Sequence, residues 1–111
     1  MIHLIRTKAT PQQIEEMMEE EIMFIKVAVD VRRGVLAGGS KLHSDCEDVL
    51  LADGSQQQDI WGASWSLDSQ SITFESMINI RPRQNNFGMI ITNPMTCDRI
   101  AEIMQNLLGE I

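Results

Sequence analysis

The sequence predicts an α+β fold: a mainly antiparallel sheet, a β-meander, with an N-terminal and a C-terminal helix packed on one of its faces. Three observations predict it. Helix-start signals stand near both ends of the chain, at Thr10-Pro11 and at Asn93-Pro94. Between them the apolar residues take a period of two over 24–31, 60–67 and 72–80. No linker, repeat or low-complexity segment divides the 111 residues, so residues 1–111 read as one domain.

Residues 2–6 alternate roughly and read as an edge strand. Thr10 is then an N-cap, Pro11 sits at the first helical position, and Gln13 completes a capping-box spacing. Ile14, Met18 and Ile22, with Met17 beside them, form one apolar stripe, and Glu15, Glu16, Glu19 and Glu20 fill the other faces. Glu20 and Glu21 lie at the carboxyl end of that stripe, where the helix dipole disfavours them. From Phe24 the period becomes two, and the β-branched run through Val31 is a strand. Arg32-Arg33-Gly34 reads as a turn, Val35-Leu36-Ala37 as a returning strand, and Gly38-Gly39-Ser40 as its end.

Residues 41–53 carry two signals. Ser44 and Glu47 have capping-box spacing, which favours a helix through Val49-Leu50-Leu51-Ala52. Asp53-Gly54 is a hairpin signal, and it favours a strand over 48–51 pairing with 60–67; the strand is the preferred reading. In the 60–67 strand Trp61, Ala63, Trp65 and Leu67 share one face, which suits a core or an interface. Leu67-Asp68-Ser69-Gln70 turns into a strand over 72–81, with Ile72, Phe74, Ile78 and Ile80 on one side. A short strand over 87–91 follows the 81–86 loop. The last helix places Ile100, Ile103, Met104, Leu107, Leu108 and Ile111 on one stripe. With both helices on one face, the other face of the sheet is expected to be wet or covered by a second subunit.

The totals narrow the function classes. No apolar run approaches the roughly 20 residues that cross a bilayer, and the N-terminus is too short and polar for a signal peptide, so the expected location is cytoplasmic. Cys46 and Cys97 lack ligand-like neighbours and read as free, packed thiols. The net charge of -7 repels a polyanion, so nucleic acid is a disfavoured partner. Five of the sixteen acids are Glu15, Glu16, Glu19, Glu20 and Glu21; without them nine basic residues face eleven acidic ones, which keeps the disfavour short of exclusion.

The densest polar group is Arg81-Pro82-Arg83-Gln84-Asn85-Asn86, two guanidiniums and three amides where a strand leaves its sheet. In a meander the Arg32-Arg33 turn, the Asp53-Gly54 turn and this loop share one end of the sheet. Arg32, Arg33, Arg81 and Arg83 would then form a rim with Gln84, Asn85 and Asn86, and arginine forks suit phosphate and carboxylate. The competing reading pairs these arginines with Asp30, Asp53, Asp59 or acids of the first helix. His43, Asp45 and Glu47 share a face if 41–53 is a strand, but with His3 as the other histidine no metal and no cofactor is expected. A Cys46–His43 nucleophile pair would need a helix. No GxGxxG, GxxxxGK[ST] or GxSxG motif is present.

Two stretches, LHSDCEDVLLADGSQQQDIWGASW and FESMINIRPRQNN, resemble an uncharacterised family of short bacterial, largely cyanobacterial, proteins of about this length. The resemblance covers most of the chain. It implies a small stand-alone α+β domain and no assigned activity, so it transfers no catalytic residue.

The function expected from the sequence is a non-enzymatic binding or regulatory module that contacts a partner through the 81–86 loop. Its expected partners are a second copy of the chain, another protein, or a small anionic ligand. The alternative is a small hydrolase or transferase acting on an anionic substrate held by Arg32 and Arg81, with Asp30, His43 or Glu75 as base.

Overall fold

The computed structural model describes residues 1–109. Five strands, β1 (His3–Ile5), β2 (Phe24–Asp30), β3 (Val35–Gly38), β4 (Ile60–Ser66) and β5 (Ser71–Thr73), form one sheet in the order β1-β3-β2-β4-β5, every neighbouring pair antiparallel. Three helices, α1 (Pro11–Met17), α2 (His43–Ala52) and α3 (Pro94–Leu108), complete the α+β fold.

Local chemistry accounts for the helix starts. Thr10 closes a full capping box with Gln13 at α1, and Asn93 accepts from the Met95 and Thr96 amides at α3. One face of the sheet carries Ile25, Val27, Val29, Trp61, Ala63 and Trp65, and α1 and α3 cover it with Met17, Ile100, Ile103 and Met104. This is the two-helix face the periodicity predicts. Ile111, the last position of the predicted α3 stripe, lies outside the described residues.

Residues 43–52 are a helix, not the strand expected over 48–51. Cys46 and Leu50, four apart, are fully buried against Ala28, Val35, Ala37 and Ile60, so α2 covers the second face of the sheet. The chain itself thus covers that face over Ala28, Ala37 and Ile60, while the other end of the face, at Phe24, Ser64, Ser66 and Thr73, lines an open cleft. The Asp53-Gly54 pair ends this helix instead of turning a hairpin. The Gly54 amide bonds the Leu51 carbonyl and the Ser55 amide bonds the Leu50 carbonyl, a Schellman motif, with Gly54 at φ 102°.

The helix also replaces the simple meander with two crossovers. β1 and β2 are each antiparallel to β3, hence parallel to each other, and α1 joins them; α2 joins β3 to β4 in the same way. Both crossovers advance in the same direction across the sheet, but between strands of opposite direction. A single hand of crossover then puts α1 and α2 on opposite faces.

Two other elements are shorter than the periodicity predicts. α1 stops at Met17, and Ile22, expected on its stripe, is 80% exposed. Carrying the helix on would have placed Glu19, Glu20 and Glu21 against its unpaired carbonyls. The strand expected over 72–81 ends at Thr73, and residues 77–79 and 82–84 form 3-10 turns. The strand expected over 87–91 is reduced to a single bridge, Glu75 to Ile90, and a second bridge, Arg81 to Asn86, closes the loop before it.

Candidate functional site

The irregular segment from 74 to 91 lies beside the half of β4 that β5 does not reach, since β5 pairs only with residues 64–66 of that strand. Gly62 makes the approach possible. A Cβ there would stand 2.5 Å from Ser76 Cβ, so any larger residue would push the segment away. In the space, the fully buried Asn79 side chain pairs with Gly62 as a strand residue would: Oδ1 accepts from the amide at 2.8 Å and Nδ2 donates to the carbonyl at 2.9 Å.

Arg81 continues that edge. Its side chain, 9% exposed, donates through Nη2 to the Ile60 carbonyl, through Nη1 to Gln57 O at 2.7 Å and through Nε to Ile78 O at 3.1 Å. The guanidinium lies 4.7 Å over the Trp61 ring. Glu47 of α2 approaches from the other side, its Oε2 3.6 Å from Arg81 Nη2. Burial pushes the Glu47 carboxyl above the usual carboxylate range against the pull of Arg81, and burial lowers the Arg81 pKa against the pull of Glu47.

The remaining residues of the loop divide into fasteners and free groups. Asn86 is buried, and its amide donates to the carbonyls of Asn79, Gly88 and Ile90 while Oδ1 accepts from the Thr92 amide and hydroxyl. Gln84 donates to the Gln58 carbonyl at 2.9 Å. Asn85 supplies a left-handed backbone, φ 60°, that ends the 82–84 turn. Arg83 makes no hydrogen bond or ion pair among the described residues. It lines a cleft of about 570 Å³ with Glu47, Met77, Ile78, Ile80 and Arg81.

Arg32 and Arg33 do not join this cleft. Asp30, fully buried, accepts from both of their amides at 2.9 Å and so fixes the turn. Arg32 Nε bonds Asp59 at 3.0 Å, and Arg33 Nη2 bonds Asp53 at 2.6 Å. Asp53 also accepts from Arg6 at 2.5 Å, and these bonds, Arg33's first, hold its carboxyl below the usual range. The expected rim of four arginines thus resolves into two turn arginines paired with acids, one strut and one cation without a partner among the described residues.

The groups proposed as bases are dispersed. Asp30 lies beneath the Arg32-Arg33 turn, where Ser55 Oγ also donates to it at 2.6 Å. Glu75 is exposed on the irregular segment. His43 lies on α2 with Nε2 2.9 Å from the Ala63 carbonyl, so that nitrogen is the protonated one, and burial lowers the ring's pKa. Asp45, two positions from His43 and so on a different side of α2, accepts from Ser40 Oγ at 2.7 Å instead of joining it. The Cys46 thiol, buried in the core, is pushed up to about 11, which removes it as a nucleophile partner of His43.

Sequence reasoning missed Glu47 as a wall of the cleft, because the strand reading groups it with His43 and Asp45 instead. The signal was present in the Cys46 to Leu50 spacing of four, which a helix needs and a strand does not. Asn79, hidden in an apparent alternation, had no signal at all.

Fold and site together define a small α+β domain with an arginine-sided cleft at the end of its sheet. The family described as "Protein of unknown function (DUF5674)" matches residues 3–107, and the chain belongs to that family. Comparison with curated proteins returns no match, and comparison with solved structures returns none either. Among the described residues no helix is long and apolar enough to cross a membrane.

Proposed function

We propose that the chain is a non-enzymatic, cytoplasmic binding module that engages an anionic group at the mouth of the cleft beside Arg83. The observation that carries this reading is the division of labour within the 81–86 loop. Arg81, Gln84 and Asn86 are consumed in holding the loop, whereas Arg83 is exposed and uncommitted. A guanidinium that the fold does not use is available to a carboxylate or phosphate. Apolar surface beside it suits a protein partner, a second copy of the chain included: Met77 is 76% exposed and Ile80 44%.

The test is a thermal-shift panel of inorganic phosphate, nucleotides, carboxylates and divalent metals on the wild type and on Arg83→Gln. Arg83 has no hydrogen-bond or ion-pair partner among the described residues, so the variant should unfold at the parent temperature. An anion at ~100 times its Kd stabilises by about 2.7 kcal/mol, a shift of several degrees in a domain this size. A shift in the wild type that Arg83→Gln loses supports the reading. A shift that survives the substitution, or none with any anion, overturns it.

A further inference from the structure

Two charged groups stand on the cleft walls. Arg83 has no acceptor among the described residues. Glu47 presents the opposite charge on the same cleft. Oε2 is closed to solvent and makes no hydrogen bond among the described residues; it faces the Arg81 guanidinium in an ion pair, 3.6 Å from Nη2. Oε1 accepts none among the described residues either, and as the oxygen not closed off it is the one that an occupant of the cleft meets. An acceptor oxygen open on a cleft wall can take a donor that an occupant brings. Met77 and Ile80 supply the apolar surface beside the two groups.

A bare phosphate answers Arg83 but sets a second anion near Glu47. An occupant that answers all three features carries a carboxylate, an N–H group close to it, and an aliphatic side chain. We propose that the cleft recognises an acylated aliphatic amino acid, the chemistry of a peptide C-terminus. Its carboxylate pairs with Arg83, its side chain covers Met77 and Ile80, and its amide N–H donates to Glu47. This deepens the proposed function and rests on Arg83 being the anion contact. No bond is made or broken.

The experiment is a calorimetric titration with N-acetyl-L-leucine, its N-methyl analogue, its C-terminal amide, and an acetylated tetrapeptide ending in leucine. It is run on the wild type, Arg83→Gln and Glu47→Ala, with circular dichroism confirming that each is folded. The expected result is binding of N-acetyl-L-leucine that weakens at least tenfold in the amide, in the N-methyl analogue and in Arg83→Gln. In Glu47→Ala the preference for the N–H form over the N-methyl form should vanish. Tighter binding of the tetrapeptide assigns the site to chain ends, and equal affinity assigns it to free acyl amino acids; either outcome keeps the proposal. Carboxylates that bind through Arg83 with no loss on N-methylation overturn it while leaving the anion site standing. If neither these probes nor inorganic phosphate binds, both readings fall.

Discussion

Asn79 makes beside β4 the two bonds to Gly62 that a neighbouring strand residue would make, and its Nδ2 also donates to the Met89 carbonyl at 3.2 Å. Truncating it orphans a buried N–H and a buried C=O at once. At roughly 1–3 kcal/mol for each orphaned group, Asn79→Ala should cost about 3 kcal/mol, read as a fall in melting temperature near 10 °C or more. It should also loosen the 74–91 segment, seen as faster amide exchange there than in β2. The two perturbed carboxylates should give opposite pH signatures. Asp53 has a folded pKa below its unfolded one, so its contribution is present above the ordinary carboxylate range and lost as the pH falls through that range into the lower folded value. Asp53→Asn should therefore destabilise at pH 7 and approach the parent at strongly acid pH. Glu47 is raised, so it ionises more easily in the unfolded chain, and the folded state loses stability as the pH climbs from about 4.5 through its folded pKa. The difference in melting temperature between Glu47→Gln and the parent should move in the variant's favour over that climb. Equal slopes for the two proteins would contradict the buried, poorly paired carboxylate.

α2 is where sequence and structure part, and Gly54 is the hinge of the difference. An Asp-Gly pair advertises a residue with positive φ, and both a tight hairpin and a Schellman cap need one. The deciding evidence lies upstream, in two residues four apart that the second face of the sheet buries, Cys46 and Leu50. Gly54→Ala should cost about 1 kcal/mol, measured by chemical denaturation. A Cβ built there meets nothing within 4 Å, so strain in the backbone is the whole of the effect. A neutral result would mean that the cap is dispensable. The helices α1 and α3, the β2–β3 hairpin and β4 were legible because their periods and caps are local. The 74–91 segment was not, because it is held by the amides of Asn79 and Asn86 reaching backbone several residues or a whole strand away, and such bonds leave no period. The candidate site was legible as a cluster and illegible as a circuit. The 81–86 composition marks the place, but which arginine is free depends on Asp53, Asp59 and the 57–60 carbonyls, all distant in sequence.

At the scale of the molecule, charge and apolar exposure pull against each other. The chain carries -7, with five acids packed into 15–21, while the irregular segment exposes Met77, Ile80, Phe87, Met89 and Ile90. Like charges oppose the meeting of two copies at low ionic strength, where the Debye length is about 30 Å at 0.01 M, and the opposition fades at 1 M, where it is about 3 Å. Apolar contact changes little over that range. If two copies meet through this segment, the average mass by sedimentation equilibrium should rise from 10 mM to 500 mM sodium chloride. Phe87→Ser/Ile90→Ser should restore the monomer at the higher salt without lowering the melting temperature, because Phe87 is 72% exposed and packs no core. A monomer at every salt would leave the apolar strip to a different protein, and would place the leucine-ended tetrapeptide, not a second copy, as the probe to pursue at the neighbouring cleft.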